Sequence, residues 1–232
     1  MSTIAENIAK VGVRIREAAQ ASGRDWLTIG LLAVSKTQAP MAIREAFAAG
    51  LTHFGENYLQ EALGKQAELV DLSLTWHFIG PLQSNKTRPI AEHFDWVHSV
   101  DRLKIAQRLS EQRPAHLPPL NICLQVNVSG EASKSGCSPD ELAVLAAAVA
   151  QLPRLTLRGL MAIPEPNEDP AAQLAVFNRV RALQDSLGLD LDTLSMGMSH
   201  DLEAAIAAGA TWVRIGTALF GARQYAAAPV SP

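Results

Sequence analysis

Cysteine is scarce in this chain of 232 residues, which contains only Cys123 and Cys137. The two do not form a CxxC pair, and no histidine stands at a zinc-ligand spacing from them, so the sequence predicts neither a disulfide framework nor a zinc site. Cysteine usage of this kind is typical of proteins in a reducing compartment. We therefore expect a cytoplasmic protein without a metal centre.

An excess of charge of either sign is also lacking, because 20 lysines and arginines face 23 aspartates and glutamates, for a net charge of −3. This balance argues against a polybasic arm for nucleic acid. Long apolar runs are missing as well, since none approaches the roughly 20 residues that a bilayer span requires. We expect neither nucleic acid nor membrane as a partner.

Strand-like apolar runs alternate with helix-like segments along most of the chain. The eight runs cover Ile29–Lys36, Thr52–Asn57, Leu74–Gly80, Asp95–Val100, Leu120–Val128, Thr156–Ile163, Leu191–Gly197 and Thr211–Gly216. Each is followed by a helix or a helix start, such as Pro40–Gly50, which begins with proline and ends with glycine. Eight strand and helix pairs in about 200 residues are typical of a TIM (β/α)8 barrel.

An extra helix precedes the first strand, because apolar residues recur there at helical spacing. They are Ile4, Ile8, Val11 and Ile15. No linker rich in proline, glycine or serine divides the chain, so we predict a single-domain α/β barrel over residues 1–225 and a disordered tail over residues 226–232. An open doubly wound sheet is the alternative, but no GxGxxG follows the first strand.

Lys36 is the most unusual residue at a strand exit, where TIM barrels place their functional groups. With a period of two, Leu32, Val34 and Lys36 share one face of the first strand. If that face is the barrel interior, burial favours the neutral amine, a nucleophile for an aldehyde. The alternative is a lysine that extends into solvent, as is common at a strand end.

The loops after the seventh and eighth strands suggest a phosphate site. Ser199 is expected to open the helix from His200 to Ala208, and Gly216 and Thr217 follow the last strand. Helix starts offer backbone N–H groups to anions, and TIM barrels often hold phosphate between these two loops. Ordinary helix capping by Ser199 and a simple turn at Gly216 are the alternatives. Together with Lys36, the loops describe a pocket for a phosphorylated aldehyde.

Arg214 should enter the same pocket, because Trp212, Arg214 and Gly216 share a strand face. A permanently charged guanidinium beside a pyridine nitrogen would keep that nitrogen unprotonated, whereas an aspartate would protonate it and strengthen the electron sink. The alternative is that Arg214 pairs with a buried carboxylate such as Glu56.

Six segments of the chain closely resemble the pyridoxal 5′-phosphate homeostasis proteins of the YggS/PROSC type, whose fold is similar to the N-terminal barrel of bacterial alanine racemases. In order along the chain, they are LLAVSKTQ, HFGENYLQEA, WHFIGPLQSNK, LQVNVSGEASKSG, LRGLMAIP and LSMGMSHDLEAAIAAGATWVRIGTALFGAR. The resemblance covers essentially Ile4 to Arg223, and a set of motifs in this order is highly specific.

The resemblance implies pyridoxal 5′-phosphate as cofactor and a role for each matching residue. Lys36 would carry the cofactor as a Schiff base, an internal aldimine, and Arg214 would face the pyridine nitrogen. The phosphate would be bound by Ser199, Gly216 and Thr217. The ring would be lined by Asn57, His77, Met161 and Met196. For His77, the residue pattern alone favours a core histidine with satisfied hydrogen bonds.

Three functions remain open on this evidence. The first is a protein that holds the cofactor for intracellular vitamin B6 homeostasis and delivers it to apoenzymes, as a monomer or weak dimer without efficient turnover. The second is a pyridoxal phosphate-dependent amino-acid racemase, which needs a base on each face of the cofactor. The tyrosines are Tyr58 and Tyr225, and neither is placed as an obvious second base. The third is a phosphosugar-type enzyme in which Lys36 reacts with substrate directly.

Overall fold

The computed structural model describes residues 2–129 and 135–221. The predicted tail over residues 226–232 and the loop that carries Lys134 lie outside the described residues. Within the described ranges, no helix is both long enough and apolar enough to cross a bilayer. The same ranges contain no group of three or more histidine, cysteine, aspartate or glutamate side chains arranged to hold a metal ion.

Eight parallel strands form a closed barrel in sequence order, which confirms the predicted TIM barrel. The strands are β1 Gly30–Val34, β2 His53–Glu56, β3 Thr75–Phe78, β4 Trp96–Val100, β5 Leu120–Gln125, β6 Leu155–Met161, β7 Thr193–Ser195 and β8 Trp212–Ile215. The last strand closes the barrel on the first, with Leu32 opposite Arg214. All eight carboxyl ends therefore lie at one mouth.

The helices lie outside the strands. They are α1 Ile4–Ala21, α2 Pro40–Ala48, α3 Leu59–Glu68, α4 Thr87–His93, α5 Leu103–Gln112, α6 Pro139–Val149, α7 Pro170–Ser186, α8 Leu202–Ala207 and α9 Thr217–Phe220, with short 3-10 turns at Trp26–Thr28 and Ser84–Lys86. Outward-facing strand residues such as Phe54 and Val97 are completely buried beneath them. Each fully buried side chain of this size contributes about 1.5–3 kcal/mol, so this layer supplies much of the stability.

The predicted extra helix is α1. Its start is a capping box, in which Thr3 Oγ1 accepts from the Glu6 backbone N–H and Glu6 Oε2 accepts from the Thr3 N–H. Its apolar stripe, which includes Val11 and Ile15, is buried. The helix packs against α8 and α9, which follow β7 and β8. It therefore lies beside the two loops expected to bind phosphate.

The predicted start of the helix after β7 is wrong. Ser199 does not open that helix, because α8 begins at Leu202 and its N-terminal flanking residue is Asp201. The Asp201 carboxylate accepts a hydrogen bond from the Met198 backbone N–H over 2.6 Å, which folds the intervening residues into a turn. Ser199 is consequently a loop residue at the mouth of the barrel.

Candidate functional site

A cavity of about 200 Å³ opens at the carboxyl ends of the strands. It is lined by Val34, Lys36, Asn57, Ile79, Ile163, Met198, Ser199, His200, Arg214, Gly216 and Thr217. Six of these residues were predicted from the sequence, and they come from the exits of β1, β2, β7 and β8. The fold therefore brings an amine, a guanidinium, an amide and two hydroxyls to one pocket.

Lys36 follows β1 and lies on the pocket wall with Val34, as the strand period predicted. The backbone on both sides of it is held by helix α3. On one side, the Ser35 carbonyl accepts from Lys65 Nζ over 2.7 Å. On the other, the Thr37 N–H donates to Glu61 Oε1 over 2.5 Å. The position of Lys36 is thus fixed by contacts of its neighbours outside the barrel.

Those contacts belong to a buried ionic cluster between β1, β2 and α3. Lys65 Nζ lies 2.7 Å from Glu56 Oε1, and the Ser35 hydroxyl donates to the same oxygen over 2.6 Å. Burial raises the pKa of Glu56, although the charge of Lys65 opposes the shift. Because Glu56 pairs with Lys65, it is not the partner of Arg214 that the sequence left open.

Arg214 is buried among acceptors from neighbouring strands. Its Nη1 donates to the Ser195 carbonyl over 2.6 Å and to the Ser195 hydroxyl oxygen over 3.0 Å, and its Nη2 donates to the Ala162 carbonyl over 3.0 Å. Burial lowers the pKa of Arg214 to about 10, and the charge of Asp201 opposes the shift. The guanidinium therefore remains protonated at neutral pH, in a fixed orientation.

A chain of hydrogen bonds leads from Arg214 into the barrel core. Ser195 Oγ lies 2.8 Å from His98 Nδ1, His98 Nε2 lies 2.9 Å from His77 Nδ1, and His77 Nε2 lies 2.9 Å from His53 Nδ1. A guanidinium can only donate, so the Ser195 oxygen accepts from Arg214 and its own proton is available for His98. If Ser195 donates this proton to His98 Nδ1, the neutral His98 and His77 each donate from Nε2 to the next histidine.

The three histidines of this hydrogen-bond chain, His53, His77 and His98, are neutral at physiological pH. Burial lowers the pKa of His98 to about 3, with the charge of Arg214 acting in the same direction. The pKa of the fully buried His77 is lowered well below its usual value, first by burial. Burial also lowers the pKa of His53. Arg214 is thus the permanent positive charge at the pocket end of the chain.

Three predicted ring contacts, His77, Met161 and Met196, are not on the pocket wall. His77 is a core histidine, as the residue pattern favoured, because it is completely buried below the cavity and stacks on Trp96. Met161 is completely buried, in a small cluster with Trp96 and Cys123. The resemblance alone implied Met161 as a ring contact, and no local pattern in the sequence gives the depth of His77 or Met161 within the barrel.

Met196 has no exposed surface and lies in the main apolar core. The inward position at the end of β7 belongs to its neighbour Ser195, which contacts Arg214 and His98. After Met196 the chain turns at Gly197, which has a φ of 94°, in the left-handed region that favours glycine. The position also has no room for a side chain, because a Cβ would lie 2.5 Å from Ala205 Cβ. This turn brings Met198 and Ser199 to the pocket.

The second phosphate-loop segment is the start of α9. Gly216 flanks this helix and Thr217 is its first residue. The first N–H groups of a helix have no partners inside it, so they are donors for an anion. Gly216 also lies close to β1, since a Cβ there would be 3.3 Å from the Val34 carbonyl oxygen. Donors from the β7 and β8 loops therefore face the same cavity.

Asn57 contributes a buried acceptor to the cavity. Its Oδ1 atom is buried and has no hydrogen-bond partner among the described residues. The backbone at Asn57 is approached so closely by Gly80 that a Cβ there would lie 2.1 Å from the Asn57 carbonyl oxygen. A buried polar atom without a partner is unfavourable by about 1–3 kcal/mol, so this amide oxygen is suited to accept from a bound ligand.

Sequence reasoning did not single out five lining residues, namely Val34, Ile79, Ile163, Met198 and His200, as ligand contacts. A signal for Ile163 was present, because it lies two residues beyond Met161 on the same strand face. Val34 and Ile79 carried the same signal, being inward positions at strand exits. Met198 and His200 carried none, since the turn after Gly197 interrupts the alternation.

The family whose profile matches the chain is described as the alanine racemase N-terminal domain, and the match covers residues 9–224. A pyridoxal phosphate homeostasis protein of Pseudomonas aeruginosa is 78% identical over 227 residues, which are 98% of this chain and 99% of that protein. The protein of the same name in Escherichia coli is 56% identical over 231 residues, or 97% of this chain and 99% of that protein.

Solved structures share the fold. PipY of Synechococcus elongatus, with PLP bound, superposes with a TM-score of 0.83 at 43% identity and covers 94% of this chain and 100% of that one. Alanine racemase of Corynebacterium glutamicum gives a TM-score of 0.67 at 20% identity, over 94% of this chain and 61% of the racemase. The second comparison shows a common barrel only.

Proposed function

The chain belongs to the alanine racemase N-terminal domain family, in the group of pyridoxal phosphate homeostasis proteins, and on that premise we propose that it binds pyridoxal 5′-phosphate at the barrel mouth. The observation that carries the proposal is the convergence of Lys36, Arg214 and the Gly216–Thr217 segment on one cavity. We also propose that this binding serves vitamin B6 homeostasis, a role that the names of the relatives support.

The chemistry of the pocket fits this cofactor at both of its ends. A phosphate dianion requires several N–H or O–H donors, which the β7 and β8 loops offer at Ser199, Gly216 and Thr217. A pyridine nitrogen requires a donor that does not transfer its proton, which the Arg214 guanidinium is. The unpartnered Asn57 Oδ1 adds an acceptor for a hydroxyl of the ligand.

When bound, pyridoxal phosphate supplies an aldehyde that condenses with a primary amine to form a C=N bond, with loss of one water molecule. We propose Lys36 Nζ as that amine. Lys36 lies on the wall of the cavity, and its backbone neighbours Ser35 and Thr37 are held by Lys65 and Glu61. Fixing the backbone on both sides limits the volume that the amine samples, which favours reaction at this position.

Arg214 determines which chemistry the bound cofactor can support. Its hydrogen bonds to Ser195 and Ala162 fix the guanidinium. The histidines behind Ser195 are neutral, so they provide no negative charge to offset that of Arg214. A guanidinium at the ring nitrogen leaves that nitrogen unprotonated and weakens the ring as an electron sink. This arrangement favours holding the cofactor over turning over amino acids.

The proposal is tested by equilibrium titration of the purified apoprotein with pyridoxal phosphate. We expect saturable binding of one cofactor per chain, with the change in visible absorption that accompanies imine formation. An Arg214→Gln variant should bind with an altered absorption spectrum, since the ring nitrogen loses its charged neighbour. Absence of saturable binding to the wild-type protein would contradict the proposal.

We further propose that the cofactor can be delivered from this site to apoenzymes. The C=N bond forms and hydrolyses reversibly, and the cavity opens directly at the barrel mouth, which supports release without unfolding. The experiment compares two samples of an apo pyridoxal phosphate enzyme, one given the loaded protein and the other given free cofactor at the same concentration. Both samples contain an excess of a small amine that scavenges free aldehyde. Activation that survives the scavenger supports direct delivery, and activation abolished by it contradicts delivery.

A further inference from the structure

Helix α1 reaches both of the segments proposed to hold the phosphate. Asn7 and Arg14 are seven residues apart on this helix, a spacing of about two turns that puts them on one face. Asn7 Nδ2 donates to the Leu219 carbonyl over 2.9 Å, and Arg14 Nη2 donates to the Ser199 carbonyl over 3.0 Å. One helix face therefore contacts the loop after β7 and the helix after β8.

The Arg14 contact fixes an orientation as well as a distance. Its Nε donates to Glu203 Oε1 over 2.7 Å and its Nη2 donates to Glu203 Oε2 over 2.9 Å, a two-pronged pair of the kind that sets the plane of a guanidinium. Glu203 lies in the first turn of α8. The same guanidinium thus ties the Ser199 backbone to the helix that follows it.

The loop at Ser199 has little support from its own helix. Asp201 flanks α8, and its side chain makes no capping bond to that helix. It bonds instead to Met198, on the other side of Ser199. The far end of α8 is also held from outside, because Arg24 Nη1 donates to the Ile206 and Ala210 carbonyls over 2.7 and 2.8 Å.

The segment after β8 is equally dependent on outside contacts. Helix α9 is four residues long, from Thr217 to Phe220. A helix of one turn is unstable alone, because nucleation is unfavourable before several hydrogen bonds have formed. The bond from Asn7 to the Leu219 carbonyl holds the far end of this short helix from outside.

The apolar stripe of α1 makes it a fixed support for these bonds. Val11, which lies between Asn7 and Arg14 on the same face, is 2% exposed, and Ile15 is 5% exposed. Burial on this scale anchors the helix independently of its polar contacts. Movement of either phosphate segment relative to the other would require breaking a bond to this support.

We propose that α1 is the positioning element of the phosphate site, with Arg14 and Asn7 as positioning residues that hold its two halves in register. The proposal rests on the proposed function, because it concerns how the same pocket recognises the phosphate of the cofactor. Neither residue lines the cavity. Their effect acts through the backbone at Ser199 and at the Thr217–Phe220 helix.

The test compares the dissociation constants for pyridoxal phosphate and for unphosphorylated pyridoxal. The reported quantity is the ratio of the two constants, in which general loss of stability cancels. We expect Arg14→Gln to reduce the preference for the phosphorylated ligand about 10-fold and Asn7→Ala about 3-fold, as for a misaligned charge-assisted and a misaligned neutral hydrogen bond. The double variant should lose more than either single one.

Arg44→Gln is the matched control. Arg44 also makes a two-pronged pair with a carboxylate, Asp71, and donates to a backbone carbonyl, that of Glu68. The side chains of Arg44 and Asp71 are 36% and 57% exposed, against 35% and 51% for Arg14 and Glu203. This variant should leave the ratio at the wild-type value.

The outcomes separate this inference from the proposed function. If Arg14→Gln weakens both ligands equally, or leaves the ratio unchanged as Arg44→Gln does, α1 has no part in phosphate recognition and the inference is overturned. If the wild-type protein binds neither ligand, the proposed function itself fails. Should Arg14→Gln not fold, Glu203→Ala takes its place, with an expected reduction of about 3-fold, and an unchanged ratio overturns the inference.

Discussion

The backbone N–H of Thr37, the residue that follows Lys36, donates a hydrogen bond to Glu61 Oε1, and Thr37 has a φ of 65°. A β-branched residue in this left-handed region is strained, by about 1–3 kcal/mol, and persists only where surrounding contacts impose it. Glu61 also pairs with the buried Lys65. The strain is therefore located next to the proposed reactive amine and is sustained by helix α3.

The first prediction is that Glu61→Ala slows formation of the covalent adduct. Without its acceptor, Thr37 can relax to an ordinary conformation, and Lys36 then samples more positions. We expect the adduct trapped by borohydride to form about 10-fold more slowly, in line with the loss of one hydrogen bond to a charged group. Glu68→Ala, an exposed position on the same helix, is the control. Equal rates in the two variants would show that α3 does not position Lys36.

The second prediction concerns the donors of the phosphate segments. Ser199→Ala and Gly216→Leu should each weaken binding of pyridoxal phosphate, by about 1.5–3 kcal/mol for each charge-assisted hydrogen bond lost. Binding of pyridoxal should change little, since it lacks the phosphate. Ser186→Ala, on the exposed end of α7, controls for the loss of a hydroxyl. Similar losses for both ligands would mean that these loops do not recognise phosphate.

The third prediction follows from the buried histidines. The pKa of His98 is lowered from its ordinary value to about 3, so between roughly pH 6.5 and 3 the unfolded chain binds more protons than the folded one. Its contribution to the free energy of unfolding is present above that range and is lost as the pH falls through it. Within this range, His98→Asn should lower the slope of the free energy of unfolding against pH by about 1.4 kcal/mol per pH unit.

Urea unfolding between pH 7 and 4 measures this dependence. The wild-type free energy of unfolding should fall more steeply with decreasing pH than that of His98→Asn. Carboxylates affect both proteins alike, so the difference between the two slopes isolates the histidine. Parallel slopes would show that His98 does not remain neutral inside the folded barrel.

The fourth prediction is that the loaded protein is a poor amino-acid racemase. In the proposed site Arg214 would weaken the electron sink and Lys36 would supply at most one base. Tyr58 is 55% exposed and does not line the cavity. Incubation with L-alanine in deuterated water should give slow α-proton exchange without the D-isomer. Inversion at an ordinary enzymatic rate, on the order of 1 to 1,000 per second, would require a second base and contradict the prediction.

The strand pattern was predictable because each strand of this barrel is a compact apolar run followed by a helix. Period-two alternation also placed Lys36 and Arg214 at the pocket. Depth within the barrel was not predictable, since it depends on the stagger between strands. His77 pairs in register with Gly55 and Trp96, which puts it below the cavity, and no local pattern in the sequence encodes that register.

Contacts between segments that are far apart in the sequence were also not predictable from it. The hydrogen-bond chain joins His53, His77 and His98 from three strands to Ser195 from a fourth. The bond between Arg14 and Ser199 spans 185 residues. Each of these residues is ordinary in its local context, and its role depends only on what the closed barrel brings beside it.

The most direct test of the account is borohydride reduction of the loaded protein, followed by peptide mapping of the modified lysine. We predict one reduced adduct per chain, at Lys36, and loss of that adduct in a folded Lys36→Ala variant. Lys65→Met is unsuitable as a control because Lys65 is buried in the ionic cluster with Glu56, so Lys104→Ala, an exposed position on α5, serves instead. Stoichiometric modification of another lysine, or full adduct formation in Lys36→Ala, would contradict the account.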